Sequence, residues 1–186
     1  MHYFLGAEVR TDKKSEKATL TQGGLTKKVL NTVGMLDSNK KITPEETMPL
    51  VTDADVPSFD KPWEYASIVG MLMYLYRNSR PDIQFAVHQC TMFNHNTSRS
   101  HAEAVKRIFC YLVASQGQGL NFDPNIYMNL DCYVDEDFAG ICKCEDDQYP
   151  VCEKSRARYV MTLGGCPFNW VSNLHTEISL STLEAE

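Results

Sequence analysis

Hydrophobic and polar positions alternate in short runs at the start of the chain. Residues 3–9 (YFLGAEV) and 17–22 (KATLTQ) read as two strands, with the polar stretch between them as the turn of a β-hairpin. From residue 24 the period lengthens. Leu25, Val29, Leu30 and Val33 share one face of a helix that Gly34 is placed to end. Residues 37–62 lose periodicity and gather Pro44, Pro49 and Pro57 among many acidic residues, so they predict a long loop. A loop of that length has to be tethered to a surface or span between substructures.

Residues 62–115 return to helical spacing. Tyr65, Ile68, Val69, Leu72, Leu75 and Tyr76 form one stripe, and Asn78, Ser79 and Pro81 break it. A second stripe carries Ile83, Ala86, Val87 and Cys90. A third helix opens with Ser100-His101-Ala102-Glu103, which has the pattern of a capping box, and carries Val105, Ile108, Phe109 and Leu112. Three such helices joined by short polar turns predict a small bundle. The last third turns strand-like around Tyr133, then has a polar insertion over residues 141–154. Strands at Tyr159–Leu163 and Phe168–Val171 follow, joined by the hairpin signal Gly164-Gly165. The final LSTLEAE reads as the first turn of a helix capped by Ser181 or Thr182. The sum is an α+β chain. It divides into a hairpin and helix over 1–36, a linker over 37–62, a helical region over 63–120, and the opening of an α/β domain over 121–186.

Composition narrows the partners. At 43% hydrophobic and 23% charged residues, the chain can bury a core and is not a disordered segment. A net charge of −6 argues against a free-standing nucleic-acid binder. Lys13–Lys14, Lys27–Lys28 and Lys106–Arg107 read as solvated faces. Seven cysteines, an odd count without a signal peptide, point to reduced thiols and a cytoplasmic setting. The longest apolar run, Ile68 to Tyr76, is too short to span a bilayer, so no membrane partner is expected. Cys142, Cys144 and Cys152 do not follow zinc-finger or ribbon spacing, even with His88, His95 or His101 added.

The order of motifs then becomes informative. YFLG and LTQ are similar to the hairpin after the palm in copia-type reverse transcriptases. YASIVGMLMYLYRNSRPDIQFAV, HAEAVKRIFCYL, YVDEDFAG, KSRARYV, LGGCPFNWVS and LSTLEAE resemble further blocks of that retrotransposon polyprotein family, in family order from Tyr3 to Glu186. YVDED looks like the metal-binding turn of a polymerase palm. However, a residue separates its two aspartates, and it follows the thumb-like helices instead of preceding them. The resemblance therefore implies the end of a reverse transcriptase, thumb or connection region included, followed by the opening of an incomplete RNase H-like domain. The polymerase aspartates are expected upstream of Tyr3 and the later RNase H carboxylates beyond Glu186, so whether the chain is an enzyme stays open.

RNase H chemistry cuts the RNA strand of an RNA–DNA hybrid with divalent metals held by carboxylates. By motif match, Asp135 takes the first-strand position and Glu186 the first-helix position. These two are the candidate catalytic and metal-binding residues, with Mg²⁺ implied only in the complete site. Outside the family context, Asp135, Glu136 and Asp137 read as an ordinary acidic strand end. Asp137, two residues along the strand, is the alternative to Asp135, and Glu184 the alternative to Glu186. Primer–template or RNA–DNA hybrid would be the partner of the complete polyprotein, and a free edge of the first RNase H strand would invite pairing with another chain, self-association included. The competing reading is a non-catalytic remnant kept as a binding or interaction module. Arg158 stands where the family usually has Gly, which predicts strain if the backbone there needs a positive φ. Phe138 replaces the usual Trp.

Overall fold

A computed structural model describes residues 2–4, 6–45, 50, 63–124, 127–137 and 155–175. The chain is α+β and divides into two compact units, residues 1–123 and 124–186. Predicted features in the insertion over 141–154, in most of the linker and in the final LSTLEAE lie outside the described residues.

The first unit begins with β1 (His2–Phe4), β2 (Ala7–Thr11) and β3 (Ala18–Thr21). The stretch expected to be one strand is therefore two. Phe4 pairs with Ala7, and Gly6 turns the chain at φ +77°, in the left-handed region where glycine is favoured. The β2–β3 connection is closed by Asp12, whose carboxylate accepts from the Lys14 N–H at 3.0 Å and the Ser15 hydroxyl at 2.8 Å. A fourth strand, β4 (Leu120–Phe122), pairs antiparallel with β3 and completes the order β1-β2-β3-β4. Residues from both ends of the unit thus close one sheet.

Among the described residues, four helices complete this unit: α1 (Gly23–Thr32), α2 (Tyr65–Asn78), α3 (Gln84–Thr91) and α4 (Arg99–Ala114), with a 3₁₀ turn over Pro81–Ile83 ahead of α3. Their apolar stripes meet as the spacing predicts. Val29 and Leu30 from α1, Leu72 and Leu75 from α2, Val87 from α3, and Phe109 and Leu112 from α4 lose all contact with solvent. The cap of α4 lies at Ser98, two residues before the predicted position. The Ser98 N–H donates to Nδ1 of His101 at 3.0 Å, while Glu103 forms an ion pair with Arg99 at 3.1 Å. The imidazole fills the role that a Glu or Gln side chain usually takes in this motif. The ring is buried and stacks on Phe93, with centroids 3.9 Å apart.

Buried polar groups join the elements. The Ser79 hydroxyl donates to Gln22 Oε1 at 2.8 Å, tying the end of α2 to the start of α1. Arg80 is the buried hub. Its guanidinium donates to Asp82, to the Ser115 carbonyl at 3.1 Å and to the Ser115 hydroxyl at 2.6 Å. It also lies 5.5 Å from the Tyr111 ring centroid. Tyr111 donates its hydroxyl to Asp82 at 2.7 Å. Burial pushes the Asp82 carboxyl upward, but the Arg80 hydrogen bonds and charge, with the Tyr111 hydroxyl, outweigh it and hold the group below the usual carboxylate range. The start of the long loop is tethered as its length requires: Arg107 of α4 holds the Glu45 carbonyl and the Thr43 hydroxyl, each at 2.9 Å.

The second unit is built on three strands, β5 (Leu130–Asp137), β6 (Arg156–Leu163) and β7 (Cys166–Leu174), in an antiparallel meander of that order. β6 and β7 are longer than their apolar cores suggest. Gly164 (φ +56°) and Gly165 (φ +74°) make the turn between them, both in the left-handed region that a two-residue hairpin of this hand demands.

Candidate functional site

The candidate chemistry sits on the β5–β6–β7 sheet. Register fixes which residues meet. Asp135 on β5 pairs with Arg158 on β6, and Arg158 pairs with Ser172 on β7. Directly opposed residues of a pleated sheet project from the same face. One row across the sheet therefore reads carboxylate, guanidinium, hydroxyl. The contact is realised: Arg158 Nη1 lies 3.3 Å from Asp135 Oδ2. The Asp135 side chain is 70% exposed and the Arg158 side chain 34% exposed. Such a pair contributes about 0–1 kcal/mol to stability, so its interest lies in what it does to the carboxylate.

Neighbouring rows place the other charges. Arg156 is buried and donates from Nη1 to the Ser172 carbonyl and hydroxyl, each at 3.3 Å. Glu136 alternates to the opposite face from Asp135, where its Oε1 lies 3.9 Å from His175 Nε2. The backbone of Asp137 pairs with Arg156, and its side chain lies outside the described residues. Glu186 and Glu184 are also outside them, as are Cys142, Cys144 and Cys152. The structure thus places one of the two candidate residues, Asp135, and the second lies outside the described residues. Among the described residues no three His, Cys, Asp or Glu side chains converge to hold a metal ion. A hard divalent cation needs several oxygen ligands. One carboxylate facing a guanidinium and a serine does not fit that need.

Comparison with known proteins shows where this arrangement belongs. Over 186 residues the chain is 31% identical to the retrovirus-related Pol polyprotein from transposon RE2 of Arabidopsis thaliana, covering 100% of this chain and 12% of that one. Over 196 residues it is 32% identical to the corresponding polyprotein from transposon TNT 1-94 of Nicotiana tabacum, covering 98% of this chain and 14% of the relative. The chain belongs to the copia-type retrotransposon Pol polyproteins. It spans 12% and 14% of the length of these two Pol relatives, so it corresponds to a fragment of such a polyprotein. It also matches an uncharacterized mitochondrial protein of Arabidopsis thaliana at 29% identity over 188 residues, covering 100% of this chain and 72% of that protein. No family model and no solved structure matches it.

Two features of this Pol segment were not legible from residue types. Arg158 was expected to strain the backbone if a positive φ was needed there. Instead it sits mid-strand in β6, and Glu16, at φ +57°, is the non-glycine residue with a positive φ among the described residues. The cross-strand partner of Arg158, Asp135, is revealed only by the register. The second feature is the Arg80–Asp82–Tyr111–Ser115 cluster, whose spacing in the chain gives no hint that Ser115 closes it. The described cysteines form no disulfide, and burial pushes the thiol of Cys90 up to about 12, which disfavours its thiolate at neutral pH. Among the described residues no helix is long and apolar enough to cross a membrane.

Proposed function

We propose that the first unit is the end of the reverse transcriptase part of a Pol polyprotein and that the second opens its RNase H-like domain. In the complete polyprotein the first would help hold primer–template, and the second would contribute the first strand of the hybrid-cleaving domain. The observation that carries this reading is the β5–β6–β7 meander. It follows a helical unit in the chain and sets Asp135, the residue matched by motif, on its first strand. RNase H folds begin with such a meander, and the acidic residue on its first strand is the position the chemistry needs.

On this reading the purified chain is inactive, because Asp135 stands opposite a guanidinium and without a second acidic side chain in its row. A hybrid-cleavage assay with labelled RNA–DNA duplex and Mg²⁺ should show no cleavage above background. Cleavage abolished by Asp135→Asn would contradict the inactivity. The alternative, a non-catalytic module, is favoured by the same Arg158–Asp135 pair. It would show as a chain that folds stably and never cleaves, whatever Pol segments are supplied in trans.

A further inference from the structure

We infer that Arg158 is a resident cation on the β5–β6–β7 sheet, and that it keeps divalent metal ions off Asp135. The inference rests on the reading of Asp135 as a metal-ligand position. It adds that the obstacle lies within this sheet and is not only a matter of missing partners.

Three observations carry it. First, the pairing is built into the backbone. Asp135 and Arg158 are register partners in an antiparallel ladder, so the backbone holds the guanidinium within reach of this carboxylate. Second, the contact is asymmetric in exposure. Asp135 is open to solvent, whereas most of the Arg158 side chain is covered, which limits the orientations the guanidinium can take. Third, the row continues with Ser172, whose hydroxyl is a neutral group beside the guanidinium. An ion approaching Asp135 Oδ2 would meet a like charge held 3.3 Å from that oxygen, close enough for repulsion to persist even in water.

The test uses the full chain and Mn²⁺ alone, read by nuclear magnetic resonance. Cross-strand contacts between Tyr133 and Val160 first establish the meander. Mn²⁺ is then titrated and the broadening of amides around Asp135 is followed in four proteins: wild type, Arg158→Gln, Arg158→Gly and Asp135→Asn/Arg158→Gln. Removing the guanidinium should raise the apparent affinity at Asp135 at least tenfold in either single variant, and the double variant should lose that gain. Arg158→Gln keeps a strand-compatible side chain, so the comparison survives if Arg158→Gly does not fold. Equal broadening in wild type and Arg158→Gln overturns the inference and leaves the RNase H reading standing. A gain that persists in the double variant also overturns it. Absent cross-strand contacts overturn both.

Discussion

The two units of this chain solve the problem of burial differently. In the helical unit, four helices contribute stripes that converge on one core, and side chains such as Leu72 and Phe109 are wholly removed from water. In the sheet unit, the buried hydrophobic residues among those described are Cys166 and Trp170, while Tyr133 and Val134 on β5 are 63% and 69% exposed. One unit spends its sequence on cohesion. The other presents its strands, and with them its charged rows. The contrast explains why the candidate chemistry, slight as it is, lies on the sheet: an accessible carboxylate needs an open face, and a packed helical core offers none.

Substitutions should separate the two units by size of effect. Phe109→Ala should cost about 3–5 kcal/mol, because it empties a fully packed site. Val134→Ala should stay within about 0.5 kcal/mol. Urea denaturation of both variants measures the difference, and similar losses would erase the contrast. Next in size is Arg80→Ala. Removing the guanidinium leaves Asp82 and Ser115 without their shared donor, and a loss of about 2–3 kcal/mol is expected after allowance for the partial exposure of Asp82. The same melts should show Asp82→Asn as milder.

Asp82 also sets a pH dependence. Its carboxyl is held below its unfolded value, so it stabilises the fold above about pH 4 and that contribution is lost as pH falls through the lower folded value. Acid titration of wild type should therefore lose stability below about pH 4 more steeply than Asp82→Asn. Parallel curves would show that the carboxylate is not coupled to folding. Ser98→Ala comes next, at about 1 kcal/mol for a lost helix cap. Arg158→Ala should also stay within about 1 kcal/mol, since the pair with Asp135 is largely solvated.

Much of the helical unit was legible because its helices are stabilised by what periodicity records, the spacing of apolar side chains. Tyr65, Ile68, Leu72 and Val105, Ile108, Leu112 are buried as the stripes predict. The Gly164-Gly165 turn was legible because few residues tolerate its backbone. What stayed hidden depends on long-range pairing. The union of β3 with Leu120–Phe122 needs residues about a hundred apart to meet. Gly6 breaks a run whose composition reads as one strand. The Ser98 cap was missed because His101, which is not the usual partner, completes it. At the candidate site the motif pointed to Asp135, but the side chain that contacts it is 23 positions away, on the next strand.

The helical unit is cohesive, and the sheet of the second unit is held more lightly. Amide hydrogen exchange tests it most directly. Core amides of α2 and α4 should exchange only through global unfolding of their unit, while β5 amides should exchange at least a hundredfold faster under the same conditions. Equal protection in β5 and α4 would contradict the account.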